Sequence, residues 1–237
     1  MSTIPSDVVK ELAPTGKLRA AINLGNIVLA QGTADAPRGI TVDLARELAR
    51  RAGVPIELVP FDGAGKVFEA VGSWDVAFLA IEPVRAAEIA FTAPYVIIEG
   101  VYVVPAGSPL KAVGDIDRAG IRIAVNKGSA YDLFLTRTLK SAELVRSADG
   151  RETFVDDRLD ALAGVKQPMA AFVGQHPGTR MIDGRFMEIR QAMGTPRGRD
   201  AAARYLAGFV EELKASGFVA DALKRSNQPD ATVAPPA

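Results

Sequence analysis

The segment from Trp74 to Tyr95, WDVAFLAIEPVRAAEIAFTAPY, constrains this chain more than any other. A turn at Gly72-Ser73 leads into Asp75-Val76-Ala77-Phe78-Leu79-Ala80, a short apolar run of the kind that forms a buried strand. Glu82-Pro83 starts a short helix, with proline at the first helical position, where its missing N–H costs nothing. Arg85 follows one turn in, and Phe91-Thr92-Ala93-Pro94-Tyr95 resumes an extended conformation. Arg85 is therefore expected beside the carboxyl end of a buried strand. Open α/β sheets bind ligands at that edge, and a guanidinium held there offers a planar fork to a carboxylate.

The flanking sequence repeats this alternation. Strands are predicted over 17–22, 56–59 and 75–79, with helices over 41–52 and 66–71 between them, a pattern that implies a parallel sheet with helical crossovers. Residues 96–104 form a long β-rich run closed by Pro105-Ala106-Gly107-Ser108-Pro109, read as a strand leaving the first lobe. A second α/β unit follows, with strands over 121–125, 143–145, 160–163 and 180–182 and helices over 130–138, 151–156 and 168–173. Residues 185–193 are the returning strand, and 201–215 and 219–224 are closing helices. The proline-containing tail, 226–237, is expected to fray. The expected division is 1–96 with 191–237 in one lobe and 97–190 in the other.

Composition narrows the function. The 237 residues are 48% hydrophobic and carry 28 basic against 28 acidic side chains, enough apolar material for packed cores and no basic excess for nucleic acid. No apolar run approaches the ~18–20 residues of a membrane span. Cysteine is absent, which removes disulfides, thiol nucleophiles and thiolate metal sites. A single histidine, His176 in a Gln-His-Pro-Gly turn, leaves little for metal or nucleophilic chemistry, so no cofactor and no enzyme activity are expected. Residues 1–7 lack the basic and apolar regions of an export signal, and Val8, Val9 and Leu12 suit a lead-in helix instead. The sequence as written is thus expected in the cytoplasm, or in the periplasm if a signal has been removed.

The order and spacing of several segments resemble the family 3 extracellular solute-binding proteins, the amino-acid-type receptors of ABC importers. They are Gly39-Ile40-Thr41-Val42-Asp43-Leu44-Ala45, Trp74-Asp75-Val76, Arg85 to Tyr95, Gly120 to Val125, Lys127-Gly128-Ser129 and Arg158-Leu159-Asp160-Ala161. The resemblance covers roughly residues 15–226. It implies a two-lobed α/β fold of the type II periplasmic-binding-protein kind, each lobe a mostly parallel sheet with flanking helices, joined by two hinge strands. It further implies a monomer that captures a small carboxylate-bearing ligand in an interlobe cleft by hinge closure, with an ABC permease as partner. Two rivals share the scaffold: an enzyme like the cyclohexadienyl dehydratases, with Glu82 as the only acid beside the anchor, and a cytosolic sensor or carrier without a transporter.

In that family the position of Arg85 grips the ligand's carboxylate, and the Gly128-Ser129 loop supplies the second lobe's grip. On general grounds Ser129 is also an N-cap, and both roles can coexist. Ala80, after Leu79, stands where relatives offer a hydroxyl, which leaves only backbone groups for binding on that wall. Asn26 stands where relatives often carry a stacking aromatic, although turn formation alone explains an asparagine there. Amino-acid binders place an acid about four residues after Asp160 to pair with the ligand's ammonium, and here Gly164 stands in that place with Lys166 just beyond. Two cations and no placed anion would favour a keto acid or a small dicarboxylate over an amino acid.

Overall fold

In the computed structural model, residues 4–228 and 230–237 are described. Residues 1–3, part of the segment on which the expected lack of an export signal rests, and Pro229 in the expected frayed tail lie outside them. The chain forms two compact units, Met1–Ile97 with Arg190–Ala237, and Ile98–Ile189.

The first unit opens with helix α1 (Ser6–Leu12), whose Val8 and Leu12 are buried. Strand β1 (Leu18–Asn23) follows, then a two-strand ribbon of β2 (Gln31–Gly32) and β3 (Pro37–Arg38). Helix α2 (Ile40–Ala52) buries Leu44, Ala45, Leu48 and Ala49, the face its apolar spacing demands. It stops at Gly53, whose φ of 65° is a left-handed conformation that glycine adopts without penalty. Next come β4 (Ile56–Phe61), α3 (Ala64–Glu69), β5 (Val76–Ala80) and α4 (Pro83–Ala86). β1 pairs in parallel with β4 on one side and β5 on the other. All five residues of β5 are buried, as its uninterrupted apolar run requires of a central strand.

Strand β6 (Ile89–Pro105) then carries the chain out of the first unit after Ile97. It is 17 residues long and starts at Ile89, well before the predicted strand over 96–104.

In the second unit, β7 (Arg122–Asn126), α5 (Ala130–Thr138), β8 (Glu143–Ser147), α6 (Gly150–Asp156), β9 (Ala161–Val165) and α7 (Lys166–Gln175) repeat the strand–helix alternation. β7 is parallel to both β8 and β9, and β9 is antiparallel to β6. A short strand, β10 (Thr179–Met181), adds to β6 on Val103–Pro105. The core joins Val101, Val103, Phe154, Leu159, Leu162, Met169 and Phe172.

Strand β11 (Met187–Pro196) re-enters the first unit at Arg190 and runs antiparallel to β5. Helices α8 (Asp200–Ala215) and α9 (Phe218–Arg225) follow. The tail departs from expectation. Thr232 and Val233 form strand β12 against Ile97 and Val96 of β6, and the Ala234 amide donates to the Tyr95 carbonyl. Lys214 of α8 donates to the Pro235 carbonyl at 2.8 Å. Proline-rich composition reads as fraying, but available partners on a strand edge override it.

A buried polar network ties the first unit together. Asp75, fully buried before β5, accepts from the Arg19 amide, from Nε and Nη2 of Arg19, and from Nη1 of Arg199, all at 2.8–3.0 Å. Arg199 also donates to the Glu11 carbonyl, and the Glu11 carboxylate accepts from the Ala202 amide. One carboxylate thereby links α1, β1, β5 and α8.

Candidate functional site

In the first unit Arg85 sits in α4, just beyond the carboxyl end of β5. Glu82 takes the N-cap place with extended backbone, and Pro83 follows at the start of the helix. The Arg85 side chain is 1% exposed, and its Nη1 donates to the Ala80 carbonyl at 3.1 Å. Burial lowers its pKa to about 10, against the nearby Glu82 carboxylate, which favours the charged form. Glu82 is itself 2% exposed and its side chain makes no capping bond. It stands as a buried acid beside a buried cation.

The two other sequence-predicted residues of this strand end serve through the backbone or not at all. Leu79 is a core side chain, packed with Trp74, Ala77 and Ile89, which leaves its backbone groups, as the sequence reading expected of this wall. Ala80 commits its carbonyl to Arg85. Trp74 is fully buried and donates its indole N–H to the Val67 carbonyl at 2.9 Å, a core residue.

Asn26 lies in the turn after β1, where its carbonyl accepts from the Leu29 and Ala30 amides. Its side-chain oxygen Oδ1 is buried without a hydrogen-bond partner among the described residues. Turn geometry explains the backbone and leaves the amide oxygen ready for a donor.

In the second unit the Gly128-Ser129 loop joins β7 to α5. Ser129 Oγ accepts from the Asp132 amide at 3.1 Å, the N-cap expected of it. Asp132 reaches back to the Gly128 amide at 2.8 Å and pairs with Arg146 Nε at 2.8 Å. The Ser129 amide donates to the Asn126 carbonyl. Burial pushes the Tyr131 phenol up to about 12, against hydrogen bonds with Ser129 and with the Asn126 backbone. The amides of this loop are thus occupied by the unit's own groups. A carboxylate, Asp132, sits at the helix start and accepts from the Gly128 amide that the sequence reading offered to an anion. The Ser129-x-x-Asp132 spacing is a capping signature that was legible in the sequence.

Gly164 and Lys166 also change meaning. A Cβ on Gly164 would lie 2.7 Å from Met169 Sδ, so position 164 points into the second unit's core. The residue at the end of β9 is Val165, which is also the N-cap of α7. Lys166 Nζ lies 2.6 Å from Glu99 Oε2, and Arg185 Nη1 lies 2.8 Å from Glu99 Oε1. Lys166 is a paired cation. Glu99, which sequence reading passed over, is its partner 67 residues away.

Among the described residues no group of three or more His, Asp or Glu side chains could hold a metal ion, and no helix is long and apolar enough to cross a membrane. His176 stacks on Phe172 with ring centroids 4.0 Å apart, a packing role.

Solved structures share this fold. A solute receptor for L-cysteine from Neisseria gonorrhoeae is 23% identical over 93% of this chain and 94% of its own, with a TM-score of 0.78. A mutant of ArgBP from T. maritima is 22% identical over 93% of this chain and 99% of its own, with a TM-score of 0.77. The ancestral amino-acid-binding protein AncCDT-1, a precursor of cyclohexadienyl dehydratase, is 20% identical over 92% of this chain and 98% of its own, with a TM-score of 0.74. No curated protein matches the sequence. The fold is the mixed α/β, type II periplasmic-binding-protein-like fold. Residues 28–226 match the model of the bacterial extracellular solute-binding proteins, family 3, and the chain belongs to that family.

Proposed function

We propose that the chain captures a small carboxylate-bearing ligand and hands it to an ABC-type importer, as a monomeric binding protein and not as a catalyst. Arg85 carries this reading. Its guanidinium is buried at the carboxyl end of β5, and desolvation is the largest influence on its proton affinity. A cation removed from water gains most from an anionic partner of matching geometry. The receptor from Neisseria gonorrhoeae takes L-cysteine, and ArgBP of T. maritima is known bound to arginine, both carboxylate-bearing ligands. Capture is by bending of β6 and β11, the two strands through which the chain passes from one unit to the other. A ligand that binds the closed arrangement more tightly shifts the population toward it. An importer role implies action outside the cytoplasmic membrane, the second of the two compartments weighed from the sequence.

The test is calorimetry on Arg85→Gln, with the ligand first identified by native mass spectrometry of freshly purified protein. Loss of a desolvated charge pair should weaken binding by about 2–5 kcal/mol, beyond ready detection. Unchanged affinity would remove Arg85 from the site. A second reading, an enzyme on this scaffold, is favoured by one observation, the buried Glu82 next to Arg85. Turnover of prephenate or arogenate, abolished by Glu82→Gln, would establish it in place of the first.

A further inference from the structure

The large apolar side chains exposed among the described residues are Ile27, Ile81, Val84 and Val155. Three of these four share one edge of the first unit. β1 and β5 are parallel neighbours, with Ala20 beside Val76 and Ala21 beside Ala77, so their carboxyl ends fall together. Ile27 follows the end of β1 in its turn, Ile81 directly follows β5, and Val84 precedes Arg85 in α4. They are 49%, 36% and 50% exposed. Scattered apolar residues on a surface need no explanation. Three at the edge that also holds a buried guanidinium and the unpartnered, buried Asn26 oxygen define a surface with a particular chemistry.

The charged groups nearby argue against a ligand with a second charge. Asp62, at the end of β4, is paired with Lys66 at 2.6 Å, and Glu82 lies beside Arg85. A basic side chain on the ligand would therefore meet hydrocarbon at this edge.

Resting on the reading of Arg85 as carboxylate anchor, we propose that the ligand is a small monocarboxylic acid with an uncharged aliphatic or aromatic body. Ile27, Ile81 and Val84 cover that body, and Asn26 Oδ1 accepts a hydrogen bond from a neutral donor on it. An acceptor left dry and unpaired is costly until such a donor arrives, and the apolar side chains gain from each hydrocarbon group they cover.

Isothermal titration of the whole protein with 2-hydroxy-4-methylpentanoate, phenyllactate, 2-oxoglutarate and arginine tests this. The two apolar hydroxy acids should bind at least about tenfold more tightly than the other two, and Val84→Asp should cost about tenfold in their affinity with the melting temperature little changed. Tightest binding of 2-oxoglutarate or arginine, or binding of neither apolar acid, overturns the apolar assignment. So does unchanged affinity in both Val84→Asp and Ile81→Ser, the result expected if these residues face a partner protein. Arg85→Gln separates the two readings. Lost affinity in that variant together with a preference for a charged ligand overturns the apolar assignment alone. An apolar preference with affinity unchanged in Arg85→Gln overturns the anchor alone.

Discussion

Glu99 of β6 holds Lys166 at the start of α7, with 2.6 Å between Nζ and Oε2, and accepts Arg185 on its other oxygen. The hydrogen bonds from Lys166 and Arg185 keep the Glu99 carboxyl below its ordinary range, so the pairing persists through neutral pH. The expectation of a keto acid or a small dicarboxylate counted Lys166 as a cation near the ligand, and the structure gives that lysine a carboxylate partner in Glu99.

Glu99→Gln should release both cations. Because the pairs are partly exposed, the cost in stability should stay within about 1 kcal/mol. Affinity for 2-oxoglutarate, measured by calorimetry, should rise relative to the parent protein. If it does not, Lys166 plays no part in reading ligand charge.

Position 164 offers a direct contrast with its neighbour. Gly164→Asp would drive a carboxylate into Met169 and the apolar core around it and should cost on the order of 3 kcal/mol or more, lowering the melting temperature by about 6–12 °C. Val165→Asp, at the partly exposed end of β9, should be far milder. It should shift preference toward ligands with an ammonium group. Equal melting temperatures for the two variants would contradict the assigned side-chain directions.

Asp75 predicts an acid-dependent stability. Burial opposes its ionisation, yet the hydrogen bonds from Arg19 and Arg199 outweigh burial and hold its carboxyl below the usual value. A depressed carboxyl stabilises fully above the unfolded value of about 3.9, and the gain is lost as pH falls through the lower folded value. Chemical denaturation should show stability dropping below about pH 4 in the parent and less steeply in Asp75→Asn. At pH 7 that substitution should cost about 3 kcal/mol, since it strands two arginines that keep some access to water.

Removing residues 231–237 should also destabilise the first unit, by about 1–3 kcal/mol, through loss of the β12 pairing and of the Lys214 contact to Pro235. A melting curve identical to that of the full chain would restore the reading of a frayed tail.

Much of the architecture was legible because it rests on local pattern. The apolar run of β5, Pro83 at the start of α4 and the helical spacing of Leu44 and Leu48 each act within a few residues. What escaped depends on distant partners. Asp75 finds Arg19 and Arg199 across 56 and 124 positions, and Glu99 finds Lys166 across 67. The direction of Gly164 could have been counted, since it lies two residues after Leu162, a core residue, and so on the same face of the strand. Asp132 could have been found too, from the capping spacing with Ser129.

The position of β12 has a consequence for synthesis. The second unit is one unbroken stretch, Ile98–Ile189, whereas the first is assembled from Met1–Ile97 and Arg190–Ala237. β5 waits for β11, Asp75 waits for Arg199, and the edge of β6 at Val96 and Ile97 waits for Thr232 and Val233. On a ribosome, the portion emerging first is therefore completed last, and the middle of the chain folds while the segment before it is still open. Limited proteolysis of a chain stopped at residue 195 should leave 98–189 as the protected fragment, with the preceding residues digested.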